Sequence, residues 1–167
     1  MDTVIGSVTL PGPVMTASGT AGYGDELAPF MDLAELGAVV TKSLAPYEWP
    51  GNPAPRVHPA PQGMLNAVGL QGPGIEYWIE HVLPGLLATG ATVVASIWGR
   101  SLDDYRRAAE MLADAPSAVV AVEVNLSCPN LEGRGGIFAH DGELSAAVIT
   151  ATAACDRPRW AKLSPNT

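Results

Sequence analysis

Short β-branched runs alternate with longer helical stretches along the whole chain, and this alternation restricts the fold to a parallel α/β sheet. Strands are expected at residues 14–18, 38–43, 91–97, 118–126 and 160–164, each apolar on both faces, as when helices cover a parallel sheet. Helices are expected between them. Over 25–36, Leu27, Phe30, Met31, Ala34 and Leu36 recur at roughly the spacing of one helix face, with Gly37 as the stop. A second helix spans 75–88, with Pro84 kinking or shortening it. Ser101 caps a third that runs to about Ala113, with Asp103 and Asp104 where negative charge suits the helix dipole. The fourth spans 144–154. The stretch from Pro46 to Gly74 is too rich in proline for a helix, and so long a connection inside a domain is usually functional.

Two layouts fit such a repeat, an open doubly wound sheet and a (β/α)8 TIM barrel. The first strand–helix loop carries no GxGxxG fingerprint, which weakens the dinucleotide-binding open sheet. Polar and reactive residues follow the ends of several strands: Ser18, Lys42, Asn125 with Cys128, and Lys162. A barrel builds its site there. The expectation is therefore an α/β TIM barrel, of which residues 1–167 hold the first four βα units and the fifth strand. A lone half-barrel would leave sheet edges open and pair with a second copy, so a homo-oligomer or a longer or split enzyme is expected.

The apolar fraction of 47% and charged fraction of 16% suit a globular protein with a real core. A net charge of -8 disfavours nucleic acid and anionic membrane surfaces as partners. No apolar run is long enough to span a bilayer, and the first residues lack the pattern of a secretory signal. Cys128 and Cys155 show no CxxC spacing, so neither a disulfide framework nor a metal site is expected, and a reduced, cytoplasmic setting is.

Asn125-Leu126-Ser127-Cys128-Pro129-Asn130 is the strongest single signal. A hydrophobic strand delivers one thiol flanked by two carboxamides, which can hydrogen-bond a planar polar ligand. The thiol can serve as base or nucleophile if its pKa is tuned from about 8.5. An arbitrary cysteine is more often an inert buried one, as expected for Cys155 in its alanine-rich helix. The loop position and Gly133–Gly136 beyond it favour chemistry for Cys128. Lys42 and Lys162 both end strands, and a lysine within a buried strand requires a partner. Together they point to an electron-rich ligand. His58, His81 and His140 read as loop or surface residues, and Asp103, Asp104 and Glu110 as a solvated helix face with Arg106 and Arg107.

Six segments, ASGTAGYG (17–24), TKS (41–43), GNPAPRV (51–57), GMLNAVGLQGPG (63–74), EVNLSCPN (123–130) and AKLSPN (161–166), together resemble the dihydroorotate dehydrogenase family. They run in order along nearly the whole chain. Cysteine in NLSCPN resembles the soluble class 1 enzymes, and NAVGLQ the subgroup that passes electrons to NAD through an iron–sulfur flavoprotein subunit. The resemblance implies FMN across the C-terminal mouth of a barrel, contacted by Ala17, Ser18, Gly19, Lys42, Ser43 and Asn125. Lys162 would face the flavin's electron-rich edge. Lys42, Asn66, Gly69, Leu70, Asn125 and Asn130 would hold dihydroorotate or orotate. Cys128 would take the C5 proton while hydride leaves C6 for flavin N5. The FMN phosphate loops would follow later strands than these residues supply.

Gly72 stands where many members have asparagine, the stretch 131–141 is longer and more charged than usual, and Trp98 is bulkier than usual. Trp98 either packs against a helix or narrows the pocket. These departures bear on the electron acceptor and partner. A dihydropyrimidine dehydrogenase-like enzyme, a dihydrouridine synthase and a non-catalytic half-barrel are the alternative readings. The acidic charge disfavours the RNA-modifying one.

Overall fold

The computed structural model describes residues 2–127 and 138–165. The chain opens with an antiparallel hairpin, β1 (Thr3–Ile5) and β2 (Val8–Leu10). A central parallel sheet follows, built from β3 (Val39–Val40), β6 (Val93–Ile97), β7 (Val119–Asn125) and β8 (Arg159–Lys162). Its order is β3-β6-β7-β8, each strand beside the one that follows it in the central sheet. Between β3 and β6 the chain makes an exposed second hairpin, β4 (Val57–Ala60) with β5 (Gly63–Asn66). The helices are α1 (Ile75–Tyr77), α2 (Leu83–Ala88), α3 (Leu102–Ala113) and α4 (Gly142–Ala151). None of the described helices is long and apolar enough to cross a membrane.

The two sheet faces are chemically distinct. One packs Val39, Val93, Ala95, Ile97, Val122 and Val124 against the helices, with Trp78, Leu86, Tyr105 and Leu112 fully buried among them. Each such large apolar side chain removed from water contributes about 1.5–3 kcal/mol. At its N-terminal end the other face packs Val40, Val94 and Ala121 beneath Val8 and Leu10 of the first hairpin. Toward the strands' C-terminal ends that same face becomes polar.

Pro84 shapes the second helical stretch as its chemistry requires. It has no N–H to donate, and its ring would strike the carbonyl four residues back in a regular α-helix. The ladder widens to a π turn over Trp78–Val82, closed by the Leu83 N–H donating to the Trp78 carbonyl, and Pro84 falls in the first turn of α2. Ser101 caps α3 as expected, its Oγ accepting from the Asp104 N–H at 3.2 Å.

Three expectations are corrected. Residues 25–36 form turns and one short 3-10 helix, Leu33–Glu35, so the first βα unit lacks its helix. Pro29 sits in the middle of the stretch, and Phe30 and Met31 of the supposed buried face are exposed. The first strand shrinks to one parallel bridge, Met15 to Ala38, with the Thr16 N–H on the Ala38 carbonyl. The second strand, expected over 38–43, is β3 at Val39–Val40 only, and the long proline-rich segment after it contains the β4–β5 hairpin.

Candidate functional site

Where β3, β6, β7 and β8 end, the inward side chains are small and polar, and they form one hydrogen-bonded chain. Ser43 follows β3, and its hydroxyl lies 3.2 Å from Ser18 and 2.9 Å from Ser96 of β6. Asn125, the last residue of β7, donates from Nδ2 to Ser43 Oγ at 3.0 Å and accepts at Oδ1 from the Ser127 N–H. Ser96 donates to Glu123 Oε1 at 2.7 Å, and Lys162 of β8 donates to the same oxygen at 2.9 Å.

The direction of the proton donors follows from counting. A carboxylate only accepts, so the one hydroxyl proton of Ser96 is committed to Glu123. Ser43 must then donate to Ser96, and Ser18 to Ser43. The relay runs Ser18 to Ser43 to Ser96 to Glu123, where the Lys162 ammonium meets it from the other side. Ser18 is left with lone pairs for whatever occupies the space in front of it.

Several elements hold these groups in place. Tyr105 of α3 donates its hydroxyl to the Asn125 carbonyl at 2.6 Å and packs edge-on against Phe138. The Lys162 carbonyl accepts from the Leu126 N–H, which continues the β7–β8 ladder past Asn125. Ser43, Ser96 and Asn125 are buried, while Ala17 and Gly19 at the rim are exposed.

Lys42 faces an adjoining cleft of about 500 Å³, lined by Tyr23, Glu26, Trp49, Gln71 and Gly72 among others. Its ammonium sits 5.3 Å from the centre of the Tyr23 ring. Burial, and then the neighbouring Arg56 charge, push its pKa below the usual lysine value. The Tyr23 hydroxyl donates to the Gln71 carbonyl, and Arg56 donates to the Gln71 side chain. Burial, helped by the Glu26 charge, pushes the Tyr23 phenol up, so it stays a donor. Gly72 fits only because it lacks a side chain, since a Cβ there would lie 2.6 Å from the Tyr23 oxygen.

The structure thus joins Ser18, Ser43, Asn125 and Lys162, whereas no hydrogen bond among the described residues ties Lys42 or Asn66 to that network. Asn66 ends β5 in the exposed hairpin. Gly69 and Leu70 both have positive φ, 76° and 58°, and the Gly69 carbonyl accepts from Trp49 Nε1. Cys128, Asn130 and Gly133–Gly136 lie outside the described residues. Cys155 is buried in the core, as expected. Trp98 is buried and packs edge-on against Trp49. His58 lies on β4 rather than in a loop, and His58, His81 and His140 are all exposed.

Glu123 and Ser96 are the residues that sequence reasoning missed. Their signal was present, because a glutamate inside the strand VVAVEVN demands a partner as much as Lys162 does. The partner expected for Lys162 was an electron-rich ligand, and the protein itself supplies a carboxylate. A second cleft, of about 470 Å³, lies at the other end of the strands beside Val119 and Pro158. Arg157 there donates to the Ala113, Ala115 and Val119 carbonyls, a latch on the end of α3 rather than a ligand site.

The parallel sheet with its helices defines an α/β protein, and the ends of such strands, where these polar side chains gather, are where α/β proteins place their ligand sites. The chain belongs to the dihydroorotate dehydrogenase family, whose model, described as "Dihydroorotate dehydrogenase", matches residues 1–167. It is 45% identical to the "Dihydroorotate dehydrogenase B (NAD(+)), catalytic subunit" of Desulforudis audaxviator over 97% of this chain and 53% of that protein. The like-named protein of Trichlorobacter lovleyi is 44% identical over 99% of this chain and 55% of its own length. That of Bacteroides thetaiotaomicron is 37% identical over 97% and 54% respectively. The chain spans about half the length of these relatives.

Proposed function

We propose that the protein carrying this chain oxidises (S)-dihydroorotate to orotate in pyrimidine biosynthesis, with FMN as its cofactor. The observation that carries this reading is the relay from Ser18 to Glu123 and Lys162, set at the ends of parallel strands in a chain of this family. A TIM barrel is the architecture it fits. The sequential strand order and the Ser43–Asn125 bond, which reaches over β6, both support a sheet that curls toward closure.

The residues present fit a flat, polar, electron-accepting ring. Ala17 and Gly19 leave the rim uncrowded, Ser18 offers lone pairs with Ser43 holding it from behind, Asn125 the second proton of its carboxamide and Lys162 a cation. When bound, the flavin supplies the acceptor for the hydride that leaves C6. Cys128 removes the C5 proton, and Asn125 and Asn130 orient the pyrimidine. Asn66, Gly69 and Leu70 complete the substrate's surroundings from the segment that ends at the cleft. Lys42 binds the substrate carboxylate and the flavin, and its ammonium, with Arg56 nearby, favours an acid over a neutral dihydropyrimidine in a cleft that Glu26 and Glu48 also line. The relatives' names support a second subunit, which we take to be an iron–sulfur flavoprotein delivering electrons to NAD; a cytoplasmic location is part of the same proposal.

The test uses the full-length protein and rapid mixing with dihydroorotate. Cys128→Ala should retain yellow, bound FMN but slow its bleaching by orders of magnitude, within the range general-base catalysis supplies. Normal bleaching in that variant removes Cys128 from the mechanism, and a wild type that dihydroorotate does not bleach overturns the reading.

A further inference from the structure

One carboxylate oxygen, Glu123 Oε1, receives both the Lys162 ammonium at 2.9 Å and the end of the serine relay at 2.7 Å. Glu123 of β7 lies directly opposite Ser96 on β6 and Trp160 on β8, two residues before the Asn125–Lys162 pair and on the same face. Its side chain is 16% exposed and that of Lys162 32%, so bulk water screens the pair only in part. A lysine here has three donors and a flexible stem, and nothing about the strand end itself fixes where its charge sits.

We propose that Glu123 is the positioning residue of this site: it holds the Lys162 ammonium at the inner face of the sheet, offsets its charge, and sets the donor direction of the Ser18–Ser43–Ser96 relay. This rests on the reading that FMN occupies the strand ends. The consequence is electrostatic. With Glu123 ionised, the flavin meets a fixed cation whose field is largely cancelled. With the carboxylate made neutral, the same cation acts uncompensated and favours the electron-rich, reduced form of the bound cofactor. A glutamate serving only to fold the sheet would not move that balance.

The experiment compares full-length wild type, Glu123→Gln and Glu123→Asp. The midpoint potential of bound FMN is read by dye equilibration, and the Lys162 amine by mass-spectrometric competitive acetylation of flavin-free protein. Glu123→Gln should shift the reduction equilibrium about tenfold toward the reduced form, which is about 30 mV for a two-electron couple. Its Lys162 should acetylate severalfold faster than in wild type, because the carboxylate no longer holds the amine against the sheet. Glu123→Asp keeps the charge and should restore both readings to within threefold of wild type. A folded, FMN-bound Glu123→Gln protein with unchanged potential and acetylation overturns the proposal. Should that variant not fold, wild-type Lys162 decides: acetylation at least tenfold slower than a free lysine amine supports the pairing, and an equal rate overturns it. A wild type that takes up no FMN instead overturns the functional reading, and with it the role assigned to Glu123, and the acetylation arm still shows whether the pair itself exists.

Discussion

Asn125 and Ser43 are hydrogen-bonded at 3.0 Å although a whole strand, β6, lies between the elements that carry them. Ser43 is the junction of the network, touching Ser18, Ser96 and Asn125 while almost fully buried. Removing its hydroxyl leaves the Asn125 amide without its acceptor. Ser43→Ala should cost about 1–3 kcal/mol, the price of an unpaired buried polar group. Ser18→Ala, at the half-exposed end of the chain, should cost clearly less. Urea unfolding of the full-length protein measures both, and equal losses would show that Ser43 is no junction.

Lys42 gives a prediction about alkaline pH. Its folded pKa is depressed below 10.5 by burial and by Arg56. Between the folded value and 10.5 the unfolded chain binds more protons, so this group makes stability rise with pH across that window. Below the window its penalty is present in full. Lys42→Met should abolish that rise, leave stability at neutral pH unchanged or slightly higher, and weaken orotate binding. Denaturant melts from pH 7 to 11 with orotate titrations check it, and a large loss of stability with normal orotate affinity would make the lysine structural.

Glu26 acts at the opposite end of the scale. Burial alone would raise its carboxyl, but the Tyr23 and Gly24 main-chain N–H groups at 2.9 and 2.7 Å bring it below 4.5. Its stabilisation is present above 4.5 and is lost as pH falls through the folded value. Glu26→Gln should flatten the acid limb of the stability profile there and loosen the loop under Tyr23. An acid limb identical to wild type would contradict this.

Trp78 and Trp98 are both buried, yet they differ in one bond. Trp78 Nε1 donates to the Tyr23 carbonyl at 2.8 Å, whereas Trp98 Nε1 has no hydrogen-bond partner among the described residues. Replacing each with phenylalanine removes similar volume. Trp78→Phe also strands a carbonyl, while Trp98→Phe removes an unpaired donor, so the first should be the more destabilising by about 1–3 kcal/mol. Thermal or urea unfolding of the two variants side by side tests the difference.

What could be read from the sequence was what depends on nearby residues. Ser101 and the aspartates after it mark the start of α3, and Pro84 marks the disturbance before α2. The strand cores at 93–97 and 119–125 follow from their β-branched runs. The supposed helix at 25–36 misled because its apolar spacing was helical while Pro29 and the tertiary setting were not. Ser18, Asn125 and Lys162 are legible as polar residues at strand ends, and Ser43 only through the family resemblance. Glu123 is legible only as a charge inside a strand, and its partner Ser96 is not, because only the pairing of β6 with β7 puts them opposite each other.

The close fit of Tyr23 over Gly72 has a consequence for how this protein can vary. The tyrosine oxygen occupies the space into which any side chain at 72 would grow, and its bond to the Gln71 carbonyl keeps it there. A side chain at position 72 requires the Tyr23 hydroxyl to move and its bond to the Gln71 carbonyl to be remade. Two loops far apart in the chain are therefore joined at this one contact, and whatever moves the tyrosine also moves the wall of the cleft that Gln71 and Gly72 line.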